Sequence, residues 1–298
     1  ENADCFHADL LRDLYEIGEM RCVGKKQNTK DTYWVYIENF RKWYMQNGMN
    51  CSVHQVGHLF LKDLMKKCRK NTTYNNYRRA LDFIFDDLIE FYKKKYLVNP
   101  FKNIRRLPEA AETKKWFSKQ QQLMIKNTII ANKDDELWLA CQLQYYCFVR
   151  PGEILEIQLG HIIWDRQKLL IKSSSAKNNL NKYIPVPEIV MRQLQSYKDL
   201  PEHWYLFSPA HCPGVERYKL DSLSKRHAKI LKKLKMPRGY TFYSWKNTGA
   251  VELVKNGTHM KTICMLMRHS KIETTDIYLQ SLGLDDLINE KMIHYSEI

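Results

Sequence analysis

Residues 29–48 read TKDTYWVYIENFRKWYMQNG, and their apolar side chains return at Tyr33, Tyr36, Ile37, Phe40 and Tyr44. That three-and-four spacing is one face of a helix, and Gly48 ends the run. Residues 71–95 repeat the pattern with Tyr74, Tyr77, Leu81, Ile84, Phe85, Leu88 and Phe91. The two stripes predict an all-helical segment over 1–98 whose aromatics form its core. The basic residues on the same helices are then left to face a phosphate backbone.

The pattern breaks at 98–117, VNPFKNIRRLPEAAETKKWF, where two prolines, a basic pair and a polar stretch read as an extended linker. Ser118 is placed to cap a new helix, and helical periodicity continues to about residue 159. Residues 161–187 then switch period. HIIW and KLLIK flank a turn at Asp165-Arg166-Gln167, and NKYIPVP follows a polar loop, predicting three short antiparallel strands. From 188 onward the pattern is helical again, interrupted by SPAHCPGVE at 208–216. The expected fold is mainly α with a small antiparallel β-sheet, in the α+β class. Its expected parts are a helical domain over 1–98, a linker and hinge over 99–115, and a second domain over 116–298 ending in a tail helix.

Charge adds a partner. The chain has 298 residues, with 48 Lys and Arg against 33 Asp and Glu, a net charge of +15. So large an excess favours a polyanion, and nucleic acid is the first candidate. No apolar run is long enough to span a bilayer, and no helix carries the basic face with a bulky apolar back that suits a membrane surface. The segment ENADCFHADLLRDLYEIG is acidic and unlike a signal peptide. Eight cysteines, at 5, 22, 51, 68, 141, 147, 212 and 264, form no CxxC and no zinc spacing. Cys141 and Cys147 lie in an apolar stretch and read as buried thiols. The expectation is a cytoplasmic protein without structural disulfides, metal or cofactor.

Four places offer chemistry. In YYCFVRPGEILEIQL (145–159), Arg150 precedes Pro151 at a helix start, where N–H groups and the helix dipole favour an anion. A guanidinium there grips two phosphate oxygens, and Glu153 reaches back to hold the turn. Lys177 sits in the polar loop between two predicted strands, where an ammonium can protonate a leaving alkoxide; Lys172 and Lys182 nearby compete for that role. In TFYSWKNTGAVELVKNG (241–257), Tyr243 and Lys246 share a face near a helix start. In CMLMRHSKIETTDIYL (264–279), a helix to about Met267 turns at His269-Ser270 into a second helix from about 273 that carries Tyr278. Taken singly, each has a plain reading: a capped helix with a surface ion pair, a solvated lysine, a packed aromatic.

Taken together, their order and spacing resemble the tyrosine recombinase (phage integrase) family. That family runs Arg-x-x-Glu, a hairpin lysine, His-x-x-Arg, a His after Gly, and a tyrosine nine residues later. Here these are Arg150 with Glu153, Lys177, Tyr243 with Lys246, His269 and Tyr278, and the match covers about 110 to 285. TYNNYRRALDFIF and NPFKNIRR fall where the family's core-binding domain has comparable patterns. Two positions depart: Tyr243-Ser-Trp-Lys246 replaces His-x-x-Arg, and Arg268 replaces the glycine before His269. FYSWKNTGA is similar to integrases of Bacteroides-type mobile elements. Lysine keeps the charge but loses the guanidinium fork, and a phenol titrating near ~10 is a poor base.

The resemblance implies a site-specific DNA recombinase of a phage or transposon. Tyr278 is then the nucleophile, forming a 3′-phosphotyrosyl link and a free 5′-hydroxyl. Arg150, Lys246 and His269 hold the phosphate, and Lys177 protonates the leaving oxygen, without metal or ATP. Double-stranded DNA is the partner, clamped between the two domains. A homotetramer assembles on DNA through a Holliday junction, with host accessory proteins as further partners and the protein monomeric or weakly associated without DNA. The expected place is the bacterial cytoplasm, on the nucleoid. Leu284, Leu287, Ile288 and Met292 in the tail have helical spacing suited to docking on a neighbouring protomer or on their own. Glu1 is not a methionine, which leaves open a preceding arm-binding domain. A type IB topoisomerase shares this chemistry, and a catalytically decayed DNA-binding protein shares the charge. An RNA-binding protein fits less well, because neither an aromatic RNP strand nor a GXXG loop is evident.

Overall fold

The computed structural model describes residues 3–93, 98–109, 113–172 and 181–283, and the side chains from residue 9 onward within the first helix. It divides into two compact units, Glu1–Ala110 and Ala111–Ile298. Among the described residues no helix is long and apolar enough to cross a membrane.

The first unit is built from α1 (Ala3–Cys22), α2 (Gln27–Trp43), α3 (Val53–Cys68) and α4 (Asn71–Phe91). Helix α2 runs into a π-helical turn over Tyr44–Gly48. Phe40 sits at the centre, with Phe60, Phe85 and Phe101 edge-on to it at 5.2, 5.6 and 5.5 Å between ring centroids. Edge-to-face aromatic contacts of this kind add specificity to the buried area. The aromatic stripes are therefore core, with one exception. Phe91 is 56 % exposed and meets only Tyr92 edge-on among the described ring contacts, because it lies on the last turn of α4.

Residues 99–109 pack on this unit instead of spanning a gap as the linker expectation has it. Phe101 is fully buried. Asn99 Nδ2 donates to Asp82 O and Asp86 Oδ1, both at 2.9 Å. Asn75 Nδ2 donates to Leu107 O at 2.9 Å, while Leu107 N–H donates to Asn75 Oδ1 at 2.9 Å. A Cβ on Gly57 would lie 2.1 Å from Pro100 O, so only glycine lets α3 approach this segment. The segment turns over 100–103 in place of the extended run expected from its prolines, and Phe101 and Ile104 anchor it.

The second unit opens with α5 (Lys119–Ala131), started by a reciprocal box in which Ser118 Oγ accepts from Gln121 N–H and Gln121 accepts from Ser118 N–H. Helices α6 (Asp135–Cys147) and α7 (Pro151–Ile154) follow. The sheet is β1 (Ile162–Ile163), β2 (Lys168–Ile171) and β3 (Lys182–Pro185), antiparallel in that order, with Leu169 opposite both Ile162 and Ile184. Its alternation buries Leu169, Ile171 and Ile184 and leaves Tyr183 outside. Then come α8 (Glu188–Leu194), α9 (Ser222–Lys233), α10 (Ser244–Lys255), α11 (Met260–Met267) and α12 (Ile272–Gln280). The fold is mainly α with a small antiparallel sheet. Lys177 and the tail from 284 lie outside the described residues.

Two contacts set the frame of the site. Helix α10 crosses α6 so closely that a Cβ on Gly249 would lie 2.0 Å from Tyr145 O. Trp245 Nε1 donates to Nε2 of the fully buried His227 at 3.0 Å, which requires a neutral imidazole. Burial pushes the His227 pKa down to about 3. Below its ordinary value near 6.5, the unfolded chain takes up a proton that the folded ring refuses. Stability is therefore full above pH 6.5 and falls as pH drops towards 3. Between pH 7 and pH 5 the expected loss is about 2 kcal/mol. Thermal unfolding across that range should show it, and His227→Gln should make the fall shallower.

Candidate active site

Helix α6 ends in a left-handed residue, Phe148, at φ 53°. That turn frees the Phe148 carbonyl, which accepts from Lys246 Nζ at 2.8 Å and from an Arg268 guanidinium nitrogen at 3.0 Å. Two residues on, Arg150 caps α7, and Pro151 fills the first helical position, where no N–H is needed. Glu153 binds the turn together. Its carboxylate accepts from Arg150 N–H at 2.8 Å, from the Arg150 guanidinium at 2.9 Å and from Arg268 at 2.6 Å. Burial alone would push this carboxyl up. Arg268, the Arg150 N–H and the Arg150 charge outweigh it and hold Glu153 below the usual carboxylate range.

Helix α10 brings Tyr243 as its N-cap and Lys246 and Asn247 in its first turn. Lys246 is 1 % exposed, and its ammonium faces the Phe148 carbonyl, where the sequence reading had it meeting a phosphate. Burial, then the Arg150 and Arg268 charges, pushes its pKa well down. Burial likewise pushes the Tyr243 phenol up, although Arg150 opposes the shift.

The nine-residue spacing from His269 to Tyr278 has a geometric reason. Arg268 ends α11 in the left-handed region, at φ 59°, and His269 N–H closes the turn onto Cys264 O at 3.1 Å. His269 Nδ1 meets Thr275 Oγ1 at 2.9 Å on the first turns of α12. Tyr278 is three residues beyond Thr275, hence on the same helix face. The His269 and Tyr278 rings stand 6.0 Å apart between centroids. Tyr278 is 7 % exposed and packs with Phe148, Ala250, Met267 and Leu279. Its hydroxyl nevertheless meets a polar group, donating to Asn247 Oδ1 at 2.6 Å. Burial, then Tyr243, pushes the Tyr278 phenol far up.

The electrostatic surroundings are those of an anion site. Burial pushes His269 down to about 4, and the positive charges of Lys246, Arg150, Lys114 and Arg268 add to the shift. Four cations thus act on one imidazole, and that ring is neutral at pH 7. The residues Arg150, Glu153, Tyr243, Lys246, His269 and Tyr278 come together, and three more join them. Arg268 was visible in the sequence as a replaced glycine. Asn247 and Lys114 carried no signal, the second because 99–115 read as a linker. Among the described residues one group, Asp134, Glu136 and His211, has the ligand types for a metal, but Arg226 already pairs with both carboxylates.

Comparison with known proteins bears on the family and the fold. Residues 104–283, more than half of the chain, match the phage integrase family. The chain is 24 % identical over 269 residues to tyrosine recombinase XerC of Listeria monocytogenes serotype 4b, covering 84 % of this chain and 86 % of the relative. It is 25 % identical over 265 residues to tyrosine recombinase XerA of Thermococcus kodakarensis, covering 86 % and 85 %. The fold matches a Tn1549 transposon integrase in complex with transposon right end DNA, at TM-score 0.68 and 16 % identity over 89 % of this chain and 93 % of that one. It also matches a lambda integrase tetramer bound to a Holliday junction, at TM-score 0.70 and 16 % identity over 88 % and 77 %. The chain belongs to the phage integrase, or tyrosine recombinase, family.

Proposed function

We propose that the protein is a site-specific DNA recombinase of a mobile element that cleaves and rejoins DNA through a covalent tyrosine intermediate. The observation that carries this reading is the convergence of Arg150, Lys246, Arg268 and Lys114 on the His269 side of Tyr278. A phosphodiester adds negative charge to a cluster in which Glu153 is the carboxylate paired with Arg150 and Arg268. Arg150, at the entrance of the site, grips its non-bridging oxygens. Tyr278 Oη leaves Asn247 and bonds to phosphorus, and the 3′-phosphotyrosyl ester forms as the bond to the 5′-oxygen breaks. The neutral His269, whose Nδ1 is engaged by Thr275, offers Nε2 to the phenol proton. Lys177 gives a proton to the leaving 5′-oxygen, the role the family resemblance assigns it.

The charge stabilisation comes from side chains already fixed in place, so little reorganisation is needed at the moment of reaction. The ester conserves the energy of the broken bond, and a partner strand's 5′-hydroxyl reverses the step without ATP. Assembly as a tetramer on a Holliday junction of double-stranded DNA rests on the lambda integrase neighbour, and host accessory proteins rest on the family resemblance alone. Action on the bacterial nucleoid and kinship with Bacteroides-type elements belong to the same reading.

Two measurements bear on it. Incubated with nicked duplexes carrying the sequence found in adducts from cells, the protein should form an SDS-resistant complex. If it instead relaxes a supercoiled plasmid lacking that sequence at the same rate, it works as a topoisomerase. Duplex affinity should also fall at least about a thousandfold between 50 and 200 mM salt, as it does for proteins contacting six or more phosphates. A flat salt response would remove DNA as the partner of this +15 chain.

A further inference from the structure

Just before α5, residues 114–117 run as a strap between the end of α12 and α10, stitched to both. Lys114 N–H donates to Ser281 O at 2.7 Å, and Trp116 Nε1 donates to Leu282 O at 3.2 Å. On the other side, Asn247 Nδ2 donates to Lys115 O at 2.8 Å, and Phe117 N–H donates to Thr248 Oγ1 at 2.9 Å. Two consequences follow for Tyr278. The strap fixes the Asn247 amide so that its oxygen faces the phenol hydroxyl at 2.6 Å. It also seats the Lys114 ammonium over the Tyr278 ring, 4.3 Å from the centroid. Among the described residues Lys114 is the cation on that ring.

We propose that Lys114 is a positioning residue for the nucleophile: its ammonium holds the Tyr278 ring in register and favours the phenolate as it forms during attack. A cation over an aromatic face is attracted to the ring's negative quadrupole. The attraction grows when the ring carries a full negative charge, so the contact is stronger in the transition state than before it. The need is specific to this site. Burial and Tyr243 both disfavour the charged phenol. The other cations, Arg150 near α7, Lys246 on α10 and Arg268 at the end of α11, are engaged with Glu153 or the Phe148 carbonyl. His269, from the turn before α12, faces the same ring uncharged. Lys114 is largely exposed as a side chain, yet the protein around its ammonium lowers its pKa from the ordinary value.

This inference rests on Tyr278 being the nucleophile, and the test separates the two. On the nicked duplex, Lys114→Met keeps the apolar stem and removes the charge. It should form adduct about two- to fivefold more slowly at pH 7.5, the size of a cation–π contact at an exposed site. Its duplex affinity should stay within about twofold. The gap should narrow towards alkaline pH, where wild-type Lys114 gives up its own charge. Lys114→Arg should recover most of the rate. Equal rates for Lys114→Met and wild type at every pH overturn the proposal. So does a Lys114→Arg variant as slow as Lys114→Met, or a loss confined to affinity. If Tyr278→Phe forms no adduct while Lys114→Met is normal, only this inference fails. If Tyr278→Phe still forms adduct, the nucleophile assignment fails with it.

Discussion

Replacing Tyr278 with phenylalanine should abolish the covalent adduct on nicked duplexes while leaving duplex affinity within about twofold, because affinity comes mostly from phosphate contacts elsewhere. The substitution removes one oxygen and nothing else. The ring of Tyr278 packs in the cluster of Phe148, Ala250, Met267 and Leu279, and phenylalanine fills that space equally well. The cost to folding is the 2.6 Å hydrogen bond to Asn247, about 1 kcal/mol, well short of unfolding the unit. Loss of adduct with a preserved melting curve therefore reads as loss of the nucleophile. Adduct formation that persists would move the chemistry to another side chain, and Tyr243, the phenol whose charge acts on Tyr278, would be the next to replace.

The second large effect belongs to Arg150. Arg150→Ala should lower the adduct rate by about a hundredfold or more, the usual consequence of removing a donor aimed at developing charge. Affinity should weaken by less than about tenfold, since one phosphate contact among many is lost. Arg150→Lys should recover little. Its ammonium cannot keep one nitrogen on Glu153 at 2.9 Å and still present a planar pair to the phosphate. Glu153→Gln tests the same frame from the other side. It weakens the hold on Arg150 and Arg268 together and leaves Arg268, 5 % exposed, beside an uncharged partner. A buried guanidinium without its carboxylate is costly, by about 3–5 kcal/mol, so Glu153→Gln should lower both activity and melting temperature, unlike Arg150→Ala. Measuring rate and melting for the pair separates a group that acts on the phosphate from one that holds others in place.

Much of this was legible in the sequence, for physical reasons. The Ser118 cap and Arg150 with Pro151 and Glu153 are local devices whose partners lie within three residues, so the spelling carries the geometry. The spacing of His269 and Tyr278 was also legible, since Thr275 ties the turn to the helix within one short segment. What the sequence hid was long-range. Lys114 reaches Tyr278 across more than 160 positions, and Asn247 reaches the same residue from another helix. Neither has a local pattern to announce it. Lys246 looked like a phosphate ligand because its position along the chain fitted one. Its burial against the Phe148 carbonyl depends on how α10 crosses α6, which rests on Gly249. Arg268 was seen as an oddity. A non-glycine residue at φ 59° carries strain, and its guanidinium offsets that strain by bridging Glu153 and Phe148.

The most direct measurement is to trap the protein on a nicked duplex, digest the adduct with protease, and identify by mass spectrometry the side chain that carries the nucleotide. The expected result is a single modified peptide from α12 with a 3′-phosphate ester on Tyr278. A nucleotide found on any other residue, or no covalent peptide under conditions where the duplex is bound, contradicts Tyr278 as the nucleophile.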